Sequence, residues 1–176
     1  MNLTLKRTPG IYVVGFMCAG KSTVGRHLAH KLGWSFFDTD DEIEAAEKMK
    51  IYEIFDTRGE AEFRRIEKDI VRQHVRWIER GRPAVLALGG GAFVHPETRE
   101  LLVGNGISVW LDCPLATVHA RLAAQSHRPL ARDREKLEAL YATRREAYQL
   151  ADARVEIECD DPDVTVQAIL RQPALQ

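Results

Sequence analysis

Between Gly15 and Thr23 the chain reads Gly-Phe-Met-Cys-Ala-Gly-Lys-Ser-Thr, the spacing G-x-x-x-x-G-K-S. Each residue type has a physical reason in that pattern. Gly15 and Gly20 let the backbone turn tightly enough for successive N–H groups to face one anion. A helix that begins at the lysine aims its positive dipole end at the same point. Lys21 then reaches the β- and γ-phosphates of a nucleotide, and the Ser22 hydroxyl can ligate Mg²⁺. A plain glycine turn is the alternative, but it needs neither the strand signal before this loop nor the helix signal after it. Cys18, inside the loop and close to a helix N-terminus, is a candidate reactive thiol with no catalytic role assigned.

Asp38 and Asp40 stand at i, i+2 beyond a short aromatic run. One carboxylate can hold a magnesium ion while the other orients, and deprotonates, a hydroxyl that attacks the γ-phosphate. Capping of the following helix by Asp40 or Asp41 is the competing reading. No aspartate follows the third strand segment, so Asp38 is the metal candidate beside Ser22. Gly89-Gly90-Gly91 strips the side chains from a strand end and permits close approach of a ligand to backbone N–H groups; a flexible turn is the bland alternative. Arg64, next to Phe63, has Glu60 four residues before it and Glu67 three after, by spacing alone a surface helix ion pair. Arg128-Pro129-Leu130, in a basic loop, can supply an arginine to a transferring phosphate or simply be solvated.

These residues need a scaffold. Strand signals fall at 11–15, 34–37, 84–88, 107–111 and 154–158. Between them lie helical patterns. Val24, Leu28 and Leu32 recur before a stop at Gly33, and an acid-rich helix opens at Glu42. From Arg58 to Arg80, Phe63, Ile66, Ile70, His74, Trp77 and Ile78 form one stripe, on which His74 is expected as a core histidine with its hydrogen bonds met. Pro96, Pro114 and Asp161-Pro162 open further helices, and 135–150 has helical spacing. Alternation of this kind predicts an α/β fold, a five-stranded parallel sheet with helices on both faces and right-handed crossovers. Ligands then sit beyond the C-terminal strand ends, so the phosphate loop, the acidic pair and the triple glycine should share one cleft.

Composition narrows the setting. The chain has 176 residues, 45% of them apolar and 29% charged, with a net charge of −1, which suits one soluble domain over 1–176 and gives no field to attract nucleic acid or an anionic membrane. The three cysteines show no disulfide or metal spacing and point to the cytoplasm. No signal peptide or membrane-length apolar run is evident.

In this order the motifs resemble the shikimate kinase family. They are Gly15-x-x-x-x-Gly20-Lys21-Ser22-Thr23-Val24-Gly25, Phe37-Asp38-Thr39-Asp40, Phe55-x-x-x-Gly59-Glu60-x-x-Phe63-Arg64-x-x-Glu67, Gly89-Gly90-Gly91-Ala92, Arg128-Pro129-Leu130, and Arg144 four before Tyr148. The likeness spans about Ile11 to Leu170. It implies a phosphate-loop NTPase-type fold that is nucleoside-monophosphate-kinase-like, with a substrate-binding helical segment at about 38–80 and a short lid at about 125–134. It also implies ATP-dependent phosphorylation of the shikimate 3-hydroxyl, in aromatic amino acid biosynthesis, by a monomer.

Carried over by position, Asp40 binds the hydroxyl and is the base, with Lys21 and Arg128 as the other catalytic residues. ATP meets Gly15, Cys18, Ala19, Gly20, Lys21, Ser22, Thr23, Arg121, Arg128 and Pro162, with Arg121 against the adenine. Shikimate meets Asp40, Phe55, Phe63, Arg64, Gly89, Gly90, Gly91 and Arg144, the two arginines on its carboxylate. Mg²⁺ takes Ser22 and Asp38. Three departures stand out: a glycine of the family's loop is replaced at Cys18 or a neighbour, the lid looks short, and the proline before Tyr148 is missing, which leaves Arg145 as an alternative to Arg144. A gluconate-kinase-like enzyme and a silent nucleotide-binding module are the rival readings.

Overall fold

The computed structural model describes residues 10–125 and 133–176. Arg128, Pro129 and Leu130, with most of the expected lid, lie outside the described residues. Five strands, β1 (Gly10–Gly15), β2 (Ser35–Asp38), β3 (Ala84–Ala87), β4 (Ile107–Asp112) and β5 (Ala153–Glu156), form one parallel sheet in the order β2-β3-β1-β4-β5. Every residue of β1 and β3 is buried, which is why both read as unbroken apolar runs. Edge strand β5 alternates instead, with Ala153 and Val155 buried and Arg154 and Glu156 exposed.

Among the described residues seven helices connect and follow the strands: α1 (Lys21–Leu32), α2 (Thr39–Glu47), α3 (Ile51–Glu79), α4 (Pro96–Leu102), α5 (Leu115–Ala123), α6 (Arg134–Tyr148) and α7 (Pro162–Leu170). Short 3₁₀ turns lie at Ala92–Val94 and Pro173–Leu175. The helices cover both faces of the sheet, and the main core runs through Tyr12, Val13, Leu28, Leu86, Val109, Leu111 and Tyr148. A smaller apolar cluster of Ile43, Ile54, Phe63 and Ile66 lies apart from it, between α2 and α3. That satellite core holds the helical segment 38–80 as a unit over one side of the sheet's C-terminal end.

Two boundaries differ from the sequence reading for local reasons. The acid-rich helix starts at Thr39 rather than Glu42, because Asp38 caps it: its Oδ1 accepts from the Asp40 N–H at 2.9 Å. The cap is therefore Asp38, neither Asp40 nor Asp41. The next helix starts at Ile51, before Arg58, with Glu53 accepting from the Lys50 N–H at 2.7 Å. Gly59, at φ 83° and ψ 168°, interrupts α3, and this break in phase hid the first two turns from a periodicity argument. Only glycine takes that conformation without strain.

His74 corrects another expectation. It is buried and stacked on Phe37, ring centroids 4.4 Å apart, and its Nε2 lies 3.5 Å from Glu42 Oε2. Neither ring nitrogen makes a hydrogen bond among the described residues. Burial pushes its pKa down, partly opposed by the Glu42 charge.

Candidate active site

The phosphate loop leaves β1 at Gly15 and enters α1 through Gly20, whose φ of 90° turns the chain into the helix. Gly15 lies under the loop, where a Cβ would meet the Leu111 carbonyl oxygen at 2.7 Å. Lys21 folds back and donates from Nζ to the Phe16 carbonyl at 2.9 Å. Burial lowers its pKa to about 8, against the attraction of Asp40 and Asp38. Cys18 sits at φ 62°, a left-handed conformation that glycine takes freely. Within this loop Cys18 is the non-glycine residue whose backbone favours glycine.

Asp38-Thr39-Asp40 works as three separate anchors. The Ser22 hydroxyl donates to Asp38 Oδ2. Asp38 reaches it across β3, where its register partner is the small Ala87. Thr39, fully buried, accepts the Gly89 N–H on its Oγ1 at 3.0 Å. Asp40 is left facing the crevice. Burial, reinforced by the Asp38 charge and opposed by Lys21, raises its pKa to about 6. The expected pairing of an acidic doublet with a phosphate loop is present in one crevice.

That crevice, about 500 Å³, is lined by Lys21, Ser22, Thr23, Asp38, Asp40, Phe55, Phe63, Arg64, Glu67, Gly89, Gly90, Gly91 and Arg144. The triple glycine does something other than expose backbone donors. A Cβ at Gly89 would strike Asp40, one at Gly90 would lie 2.9 Å from Arg144 Nη1, and one at Gly91 would lie 2.5–2.8 Å from the Arg64 guanidinium. The missing side chains make room for the site's own charged groups, and the Gly89 N–H is already taken by Thr39. Arg64 donates to Glu67 at 2.7 Å, and its guanidinium carbon stands 5.1 Å from the Phe63 ring centroid. Phe63 in turn packs on Phe55 at 4.5 Å. Arg64 therefore points inward: the ion pair its spacing suggests does form, with Glu67, but in the crevice and not on the surface.

A second cavity of about 420 Å³ opens on the other side of the loop, lined by Cys18, Ala19, Gly20, Thr23, Arg121, Cys159 and Pro162 among others. Arg121 spans its wall, donating to the Cys18 carbonyl at 2.6 Å and to Asp160 at 2.6 Å. Gln125 and several loop residues border both cavities. The two chambers thus adjoin at Cys18, Gly20, Thr23 and Gln125, with Lys21 and Ser22 on the side of the larger crevice.

The family model described as shikimate kinase matches residues 17–173. The chain belongs to the shikimate kinase family. A shikimate kinase of Persephonella marina is 40% identical over 161 residues, covering 91% of this chain and 96% of its own. Among solved structures, shikimate kinase from Aquifex aeolicus superposes with a TM-score of 0.80 at 33% identity, over 92% of this chain and 94% of its own. Shikimate kinase from Acinetobacter baumannii in complex with shikimate gives 0.84 at 35%, over 96% and 93%. The fold is the phosphate-loop kinase fold, and the chain is a kinase of the shikimate kinase family.

Within this family member the two adjacent arginines separate cleanly. Arg144 lines the acceptor crevice, with its guanidinium carbon 5.7 Å from the Phe16 ring centroid. Arg145 is turned away, paired with the buried Asp112 and stacked on Trp110 at 4.9 Å. Tyr148 supports this arrangement without a preceding proline, donating from its hydroxyl to the Gly90 carbonyl. Sequence reasoning missed Glu67, Thr39 and Gln125 as site residues. The signal for Glu67 was present: it falls on the buried stripe of α3, where an unpaired acid would be costly. Burial raises its pKa, against the pull of Arg64.

The residues also fit a magnesium ion. Ser22 and Asp38 bring two hard oxygen donors together at the mouth of the loop, the number Mg²⁺ commonly takes from protein while keeping waters and phosphate oxygens. Among the described residues no group of three or more His, Cys, Asp or Glu side chains could hold a metal ion. Among those residues no helix is long and apolar enough to cross a membrane.

Proposed function

We propose that this chain transfers the γ-phosphoryl group of ATP to the 3-hydroxyl of shikimate, giving shikimate 3-phosphate and ADP. The observation that carries the reading is the content of the acceptor crevice. Asp40, a carboxylate with a raised pKa, and two arginines, one of them paired with Glu67, face the end of the phosphate loop within about 500 Å³. A small polyol acid presents the complementary groups, a carboxylate for the arginines and a hydroxyl for the aspartate.

Arg64 and Arg144 grip the carboxylate by charge-assisted hydrogen bonds. Phe55 and Phe63 wall the carbocycle. Asp40, ionised above pH about 6, accepts the hydroxyl proton as the oxygen attacks phosphorus. The new P–O bond forms as the bond to the ADP oxygen breaks, and Lys21 balances charge on the phosphates. Adenosine occupies the cavity of Arg121 and Pro162. Ser22 and Asp38 would hold Mg²⁺, which neutralises phosphate charge when bound with the nucleotide. Arg128, outside the described residues, is assigned on its motif alone to the transferring phosphate.

We place this activity in a cytoplasmic monomer that uses no nucleic acid or membrane partner, with 1–176 as one kinase domain. Purified protein with MgATP should phosphorylate shikimate at about 1–100 turnovers per second. Turnover of gluconate in place of shikimate would move the assignment to another small-molecule kinase, and no turnover of any acceptor would leave a silent module.

A further inference from the structure

Three helices bring charged groups to the acceptor crevice, and all three close on one turn. Asp40 comes from the start of α2, Arg64 from α3 and Arg144 from α6. The turn is Gly89-Gly90-Gly91, and Cβ atoms on its glycines would meet Asp40, Arg144 and Arg64 in that order. A Cβ on Gly90 would also lie 3.7 Å from the Gly15 carbonyl oxygen, so the turn packs on the phosphate loop as well. The sheet fixes the chain just before it, where the Leu88 N–H donates to the Val13 carbonyl at 3.0 Å. Beyond Leu88 two fully buried side chains take over. The Gly89 N–H donates to Thr39 Oγ1 at 3.0 Å, and the Gly90 carbonyl accepts from the Tyr148 hydroxyl.

Each of these two side chains adjoins one charged group of the crevice. Thr39 immediately precedes Asp40, whose own N–H is held by Asp38 Oδ1 at 2.9 Å. A shift of Gly89 against Thr39 is therefore a shift against Asp40. Tyr148 lies one helical turn beyond Arg144 on α6, so the two side chains share a face. Burial pushes the Tyr148 pKa up to about 12, against the charge of Arg144 and a hydrogen bond from it. The hydroxyl thus gives its proton to Gly90 and a lone pair to Arg144. Packing alone would be met by valine and phenylalanine, which have nearly the same shapes; only the hydroxyls reach the turn.

We infer that Thr39 and Tyr148 are positioning residues of the acceptor site, each setting one charged group through the glycine turn. Thr39 fixes Asp40 against the hydroxyl of a bound acceptor, and Tyr148 fixes Arg144 against its carboxylate. A misplaced Asp40 slows proton transfer without loosening the acceptor, so Thr39 acts on kcat. A released Arg144 weakens the hold on the carboxylate alone, so Tyr148 acts on KM. These kinetic consequences rest on the proposed shikimate reaction; the placement of the two groups does not.

The experiment uses the whole protein, with initial rates on shikimate and MgATP and with ADP binding by calorimetry. Thr39→Val should lower kcat at least about tenfold with the KM for shikimate little changed, and Thr39→Ser should recover most of the loss. Tyr148→Phe should raise that KM about fivefold, the worth of one hydrogen bond, with kcat little changed. In an Arg144→Met background Tyr148→Phe should raise it no further, because the group it positions is gone. ADP affinity should hold within about twofold in each single variant, since the smaller cavity is a separate site. Two NMR readouts need no acceptor. Thr39→Val should speed exchange of the Gly89 amide and shift the carboxyl titration of Asp40, while Thr39→Ser matches the parent. Tyr148→Phe should speed exchange of the Arg144 Nε–H. Unchanged kcat in Thr39→Val, an equal loss in Thr39→Ser, or a Tyr148→Phe effect on KM that persists without Arg144 overturns the inference. If the parent phosphorylates no acceptor, the shikimate reading fails; the Gly89, Asp40 and Arg144 signals then decide this one, upholding it if they change and overturning it if they do not. If Thr39→Val does not fold, the Tyr148 comparison decides alone.

Discussion

A Cβ atom on Gly89 would lie 2.7 Å from Oδ1 of Asp40 and 2.9 Å from Oε1 of the buried Glu67. Glycine is needed there for space, since its φ is not in the left-handed range. Gly89→Ala is expected to fold with an overpacking cost of about 1–3 kcal/mol. Displacing Asp40 by an ångström should lower kcat about 100-fold, while ADP affinity changes less than about twofold, because the smaller cavity is untouched. Denaturant unfolding, initial rates and calorimetry separate these effects. Parallel loss of ADP binding and turnover would contradict the geometry.

Asp40 makes a second prediction with a definite sign. Its folded pKa, about 6, lies above the ordinary 3.8, so the protein binds this proton more tightly when folded. The stabilisation is fully present below pH 3.8 and is lost as pH rises through 6. Asp40→Asn avoids that loss and should be more stable than the parent at pH 8 by on the order of 2 kcal/mol. The difference should vanish near pH 4. The same variant should lose most turnover, and kcat/KM of the parent should fall on the acid side of about pH 6 and, through Lys21, on the alkaline side of about pH 8. Equal unfolding midpoints of parent and variant at pH 8 would refute the burial argument.

Arg144 and Arg145 should give opposite phenotypes. Arg144→Met removes a cation from the acceptor crevice and should raise the KM for shikimate at least tenfold, by roughly the 1.5–3 kcal/mol of a hydrogen bond to a charged group. Arg145→Met leaves the buried Asp112 with Arg154 alone and should cost about 2–3 kcal/mol of stability, less than a fully broken buried pair. Its KM for shikimate should hold. A selective KM effect in the Arg145 variant would reverse the two roles.

Much of this was legible in the residue order, and the exceptions have physical causes. The central strands read correctly because β1 and β3 are fully buried and carry unbroken apolar runs, and β4 is buried apart from its first residue. Gly15 to Thr23 and Asp38 to Asp40 read correctly because their chemistry is local. By spacing alone Arg64 is an ion pair, which it does form with Glu67; the family resemblance set it in the acceptor site, and the missing side chain at Gly91 leaves the room in which it turns inward. Thr39 hid because its partner Gly89 is distant in sequence, whereas Glu67, paired with Arg64 three residues before it, hid because its burial in the crevice does not show in the spacing. Gly59 misled because one left-handed residue resets the helical phase that periodicity depends on.

Cys18 is the remaining test of whether local backbone or side-chain chemistry explains an unusual loop residue. At φ 62° a non-glycine residue carries a penalty of roughly 1–2 kcal/mol. Glycine would relieve it, while losing about 0.5–1 kcal/mol through the greater freedom of the unfolded chain. Cys18→Gly should therefore unfold within about 1 kcal/mol of the parent. Valine, branched at Cβ, resists the left-handed region most strongly, so Cys18→Val should be destabilised by about 2 kcal/mol and bind ADP more weakly as the loop shifts. Thermal unfolding with and without ADP measures both. Glycine and valine variants of equal stability would mean that the loop is free to relax, and that the left-handed turn at Cys18 is not what holds the phosphate-binding conformation.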